Sequence, residues 1–191
     1  MQTAYDLLDG PSAAGTPPVG ENSDVASRPL LAPILWLLAG GCAAAFMDTL
    51  VAMAWWGPRG IAPEHILQGF TSWFIGPRAF AGGLGTALTG ALIYALLMSG
   101  LVALYHACAR RFALLWEQPL LCGAAYGALA YLAVFQLMVP ALTGTHPTTH
   151  HMLWTGTCVV AYMTLVGPSC AFFSRVAGTA RHWAPGRNRR R

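Results

Sequence analysis

Apolar residues do not alternate with polar ones along this chain. They run together in four long blocks, at about 30–56, 83–105, 119–139 and 151–173, and every charged residue but Asp48 lies between or outside them. Each block reaches the roughly 20 residues that a helix needs to cross a hydrocarbon layer of about 30 Å, where a helix satisfies its own backbone hydrogen bonds. The pattern predicts an all-α fold, a four-helix transmembrane bundle. Pro119 suits the first turn of a helix, where its missing N–H costs nothing. Pro140 and Gly144 are expected to close the third span, and Pro168 to bend or stop the fourth. Trp55, Trp56, Trp73, Tyr105, Trp116 and Trp154 fall where interfacial aromatics belong.

Between the first two blocks the period changes. In IAPEHILQGFTSWF the residues Ile66, Leu67, Phe70, Trp73 and Phe74 recur at steps of three and four, with Glu64, His65, Gln68, Thr71 and Ser72 between them. This predicts a short amphipathic helix lying in the interface, the alternative being a re-entrant or gating helix. Residues 1–29 are polar, rich in Gly, Pro and Ser, and carry Asp6, Asp9, Glu21 and Asp24, so a disordered cytoplasmic tail is expected there. The organisation predicted is that tail, a membrane domain over 30–175 and an Arg-rich cytoplasmic tail over 176–191. The acidic start lacks the positive region of a signal peptide. LLAGGC, ending at Cys42, has Ala39 where a lipoprotein signal favours Leu, so the first span is expected to stay uncleaved.

Composition agrees with the blocks. Hydrophobic residues make up 55% of the chain and charged residues 9%, against about 25% charged in an ordinary soluble domain. A water-soluble core of 191 residues could not bury so much apolar surface. The net charge of +4 comes from eleven arginines and no lysine. With an even number of spans, nine of them (Arg28, Arg110, Arg111, Arg175, Arg181, Arg187, Arg189, Arg190 and Arg191) share one side, and only Arg59 and Arg78 the other. Arginine excess in short loops marks the cytoplasm, so both termini are predicted inside, with 57–82 and 140–150 outside.

Without a hydrophobic drive between helices in lipid, contact depends on small residues that let backbones approach. Gly83, Ala87, Ala91, Ala95, Ser99 and Ala103 form a stripe at steps of four in the second span, Gly123 and Gly127 share that spacing in the third, and Gly40, Ala44, Asp48 and Ala52 in the first. These faces are expected to pack the bundle. The partners expected are the lipid bilayer and a second copy or another membrane protein; nucleic acid is not expected.

Asp48 is the one acid inside a span. An ionised carboxylate at mid-membrane costs on the order of 2.5–3.5 kcal/mol on insertion scales, so it must be protonated, solvated or paired. It is either a proton-carrying or ligand-binding group or a hydrogen-bonded packing residue, with Gln136 in the third span as its candidate partner. On the outer side Glu64, His65, His146, His150 and His151 form a candidate pH-sensing or metal-binding cluster, although Pro147 prevents a helix from aligning His146 with His150. His106 and His182 lie on the cytoplasmic side, opposite the other histidines, which disfavours haem held by two of them. Cys42, Cys108, Cys122, Cys158 and Cys170 form no CxxC pair and are expected as free thiols. There is no phosphate loop, HExxH or GxSxG. No catalytic residue and no cofactor is predicted.

Three segments carry a resemblance: the WG pair Trp56–Gly57 ending the first span, ILQGFTSWFIGPRAFAGG leading into the second, and PLLCGAAYGALAYLAVFQLMVPALTGTHP across the third. Together, over about residues 34–175, they resemble uncharacterised four-span bacterial inner-membrane proteins of the YagU-like kind. The resemblance implies location and fold, and no catalytic residue. The function expected is therefore a non-enzymatic inner-membrane protein, in envelope homeostasis or as an accessory subunit. The alternatives are a small transporter or proton-coupled channel using Asp48, and a membrane enzyme or metal-binding protein using the outer histidines.

Overall fold

A computed structural model describes residues 28–144 and 152–180. Among them every regular element is helical, and four helices are long and apolar enough to cross a membrane. The chain is an all-α, multi-pass membrane protein. The first long helix is Arg28–Trp56, followed by a 3-10 turn at Gly57–Arg59. A connecting helix, Pro63–Ile75, and a second 3-10 segment, Gly76–Ala81, lead to the second long helix, Gly83–Ala109. A single turn at Leu114–Glu117 precedes the third, Pro119–Thr143, and the fourth is Met152–Thr179. Three of the long helices overrun their predicted ends by a turn or more, because apolar spacing marks the span while the helix continues through the interface.

Proline does not end the third or fourth helix. Residues Leu132–Met138 and Tyr162–Val166 are π-helical, and Pro140 and Pro168 stand at the second position after them. A proline ring would strike the carbonyl four residues earlier; the wider π turn moves that carbonyl aside, so the helix continues. The third helix closes at Gly144, as expected of that glycine: its φ of 65° is left-handed and its N–H bonds Pro140 O.

Glycine sets the tightest crossings. A Cβ on Gly127 would overlap the Tyr162 carbonyl, and one on Gly167 the Gly123 carbonyl, so the third and fourth helices meet backbone to backbone. Gly41 rests on the backbone of Ser99, joining the first helix to the second. Of the predicted stripe in the second helix, Ala87 and Ser99 are buried, Ala91 and Ala95 half-buried, and Gly83 and Ala103 exposed. The centre of the buried face is larger and lies beside the stripe: Tyr94, Met98, Val102 and Tyr105 are each at most 1% exposed. Leu92 and Leu96, at 61% and 56%, face outward.

The connecting helix occurs where its period placed it, with Pro63, Glu64 and His65 exposed. Its inward face differs from the apolar one expected. Gln68 and Thr71 are buried along with Phe70, while Phe74 is 59% exposed. The reason is hydrogen bonding: Gln68 Nε2 donates to Gly83 O at 3.0 Å and Thr71 Oγ1 to Thr86 O at 2.7 Å. Three contacts of this helix fall at increasing depth along the second: Gln68 at Gly83, Thr71 at Thr86, and Trp73 on Tyr94. The helix therefore runs inward beside its neighbour, and the 3-10 segment returns the chain to Gly83. Trp73 and Tyr105 face other helices: Trp73 makes edge contacts with Tyr94 and Phe135, and Tyr105 is buried against Tyr126.

Candidate functional site

The inward-running helix stands apart from the first and fourth long helices, and the space between them is a cavity of about 700 Å³. At its base is Asp48, just over two turns in from Trp56. The walls are mostly rings: Trp56 from the first helix, Phe70 and Trp73 from the connecting helix, Tyr131 and Phe135 from the third, Trp154 and Tyr162 from the fourth. Gly60, Ile61, Ala62 and His65, all exposed, form the rim. Beneath, the bundle is closed by Met98, Val102, Tyr105, Val166 and Cys170, all buried. The cavity thus opens at the end of the bundle that carries the connecting helix and is shut toward the other.

The same features of sequence that build the helices place these side chains. Asp48 lies one turn beyond Ala44, on the small-residue face of the first helix, where its neighbours leave room for other helices to approach. Tyr162 begins the π segment of the fourth helix, and Phe135 sits within that of the third. π turns shift the direction of side chains relative to a regular helix and recur at functional sites.

Tyr94 O–H donates a hydrogen bond to Asp48 Oδ2, and the Tyr94 and Tyr162 hydroxyls are 3.0 Å apart. Because the single Tyr94 proton is directed at the carboxylate, Tyr162 O–H donates to Tyr94. The result is a chain of carboxylate, phenol and phenol linking three helices, with Tyr94 1% and Tyr162 0% exposed. Phe70 stacks on Tyr94 at 3.9 Å between centroids and 5° between planes, tying the connecting helix to the same group. At the rim Trp154 meets Trp55 and Trp56 at 5.6 and 5.4 Å, and the Arg59 guanidinium lies 4.3 Å over Trp55.

Among the residues singled out from sequence, Asp48 is at the centre of this arrangement and Gln136 is not its partner. Gln136 lies on the exposed side of the third helix, turned there by the π segment that contains it. Glu64 and His65 diverge: Glu64 accepts a 3.3 Å bond from Gln68, while His65 stacks over Phe80 at 6.0 Å. His146, His150 and His151 lie outside the described residues. Among the described residues no three His, Cys, Asp or Glu side chains come together as a metal site would require. Gly123 and Gly127 face the fourth helix below and beside the cavity. All five cysteines are unpaired, and Cys158 is on the cavity wall.

Tyr94 and Tyr162 were not singled out in the sequence. A signal was present: both are hydroxyl-bearing rings in the middle of apolar spans, far from an interface that could hydrate them, and a buried hydroxyl needs a partner. No family model, curated protein or solved structure matches this chain, so its function is argued from this geometry.

Proposed function

We propose that this chain is a small transporter of a bacterial inner membrane, with both termini and the 106–118 loop in the cytoplasm and the cavity open to the outside. Asp48 is the group that holds the transported solute or a coupled proton, and the Tyr94–Tyr162 pair fixes its orientation. One observation carries the reading: the single intramembrane acid lines a cavity open at one end and closed at the other. Ligand sites are typically concave, largely apolar spaces of about 300–1,000 Å³ with a few polar groups aimed inward. A bundle serving only as a scaffold or accessory subunit has no need for a carboxylate beside an open space. An intramembrane acid is expensive to insert and is a functional candidate for that reason.

Cys158 provides the test, because it is on the wall while Cys42 lies on the exposed face of the first helix. In a variant retaining Cys158 as its sole cysteine, a membrane-impermeant methanethiosulfonate reagent applied from outside should modify the thiol. A variant retaining only Cys42 should react far more slowly, since lipid covers that face. A folded Cys158-only protein that stays unmodified until denatured would rule out a water-accessible cavity and with it the transport reading.

A further inference from the structure

Building on the reading of the cavity as a transport site, we propose that its ligand is an apolar organic monocation, of the quaternary ammonium or aromatic phosphonium kind. Its charge is held at Asp48 and its apolar groups against Trp56, Phe70, Trp73, Phe135 and Trp154. Four properties of the cavity select this class. Asp48 is the one carboxylate on the lining and no arginine lines the cavity; His65 is the one basic lining side chain, and the Arg59 guanidinium at the rim rests on Trp55. An anion would meet a carboxylate with no opposing charge and is excluded. Tyr94 occupies Oδ2, and among the described residues Oδ1 accepts no hydrogen bond, so one oxygen remains for a ligand. An uncharged apolar solute would displace water from that oxygen and return nothing to it.

Inorganic cations are disfavoured by the same inventory. Calcium takes six to eight oxygen ligands and magnesium an octahedron of them, whereas the lining side chains here offer one carboxylate and the hydroxyls of Ser72, Tyr131 and Tyr162, of which Ser72 donates to Gly69 O and Tyr162 bonds Tyr94. What the cavity has in quantity is ring faces. Aromatic faces attract cations electrostatically, most effectively when both are removed from water, and aromatic cages recognise quaternary ammonium groups by this means. The volume of about 700 Å³ suits a solute carrying several rings or a bulky alkyl set rather than a bare ion.

Tetraphenylphosphonium and tetraphenylborate have the same shape and opposite charge, so they separate charge recognition from apolar fit. Equilibrium dialysis of each against the purified full-length chain in lipid nanodiscs, with empty nanodiscs subtracted, should show saturable binding of the phosphonium and none of the borate. Asp48→Asn, which keeps size and hydrogen bonding, should weaken phosphonium binding by roughly tenfold or more. Trp154→Leu, which leaves the carboxylate in place, should weaken it by a smaller factor. Equal binding of both ions by the unaltered chain would overturn the assignment of charge while leaving the cavity as a ligand site. So would an Asp48→Asn protein, folded by its melting profile, that binds the phosphonium as the parent does. Absence of binding for either ion overturns this inference alone if Cys158 is reactive, and the transport reading as well if Cys158 is not.

Discussion

Tyr94 is the residue on which three helices and one carboxylate converge, and its hydroxyl is the one that donates to that carboxylate. Removing it in Tyr94→Phe keeps the ring that stacks on Phe70 but deprives Asp48 of its donor and Tyr162 of its acceptor. A buried polar group left unmatched costs about 1–3 kcal/mol, so this variant should lose stability by that amount in a denaturation titration of the solubilised protein. Tyr162→Phe breaks only the outer link and should cost about 1 kcal/mol or less. Equal losses would mean that the two hydroxyls are not ordered as described. At this scale Asp48 could be picked out from sequence because a charge in an apolar run is conspicuous. Its partner could not, since a cross-helix contact depends on rotations and depths that spacing within one helix does not contain. Gln136 had the right chemistry and stood in the wrong rotational position.

Elements are held in place by close approach more than by side-chain interlocking. At Gly127 a methyl group would strike the Tyr162 carbonyl, and overpacking of this kind typically costs about 1–3 kcal/mol. Gly127→Ala should therefore lower the melting temperature in detergent. Gly100→Ala, in a helix interior with nothing within 4 Å of the added carbon, should be neutral or more stable by up to about 1 kcal/mol. If both variants behave alike, the seam between the third and fourth helices is not set by glycine. The small-residue spacing made Gly123 and Gly127 legible as packing positions. In the second helix the same spacing was a less complete guide, because the buried centre is made of Tyr94, Met98 and Val102, whose size disguises them as lipid-facing. The inward tilt of the connecting helix was hidden as well. Gln68 and Thr71 read as a polar outer face until backbone carbonyls on the neighbouring helix supply them with partners.

For the whole molecule, orientation follows from where arginine collects, and the cavity gives orientation a consequence. If the arginine-rich side is cytoplasmic, reporter fusions after Arg111 and Arg191 should report the cytoplasm, and fusions near Arg59 and His146 the outer compartment. The reverse at all four sites would turn the cavity inward and make the solute's path an exit. The four spans were legible at this scale because membrane thickness imposes a length that composition alone reveals. The cavity was not, because an empty volume belongs to no single segment: it results from a connecting helix that tilts in and a fourth helix that stands off.

The π turns in the third and fourth helices carry one residue more than an α-helical turn requires, which offsets the two halves of each helix in rotation by about 100°. In the fourth helix the lower half is seated, with Gly167 against Gly123 and Cys170, Ala171, Ser174 and Ala177 all buried. The upper half, Met152–Ala161, has Ala161 as its single buried residue and carries Trp154 and Cys158 into the cavity wall. Few buried contacts mean a low cost of local movement, and the missing amide of Pro168 removes a hydrogen bond that would otherwise bind one half to the other. The upper half of this helix therefore keeps its place through ring contacts at the rim, Trp154 on Trp55 and Trp56, while the lower half is locked by burial.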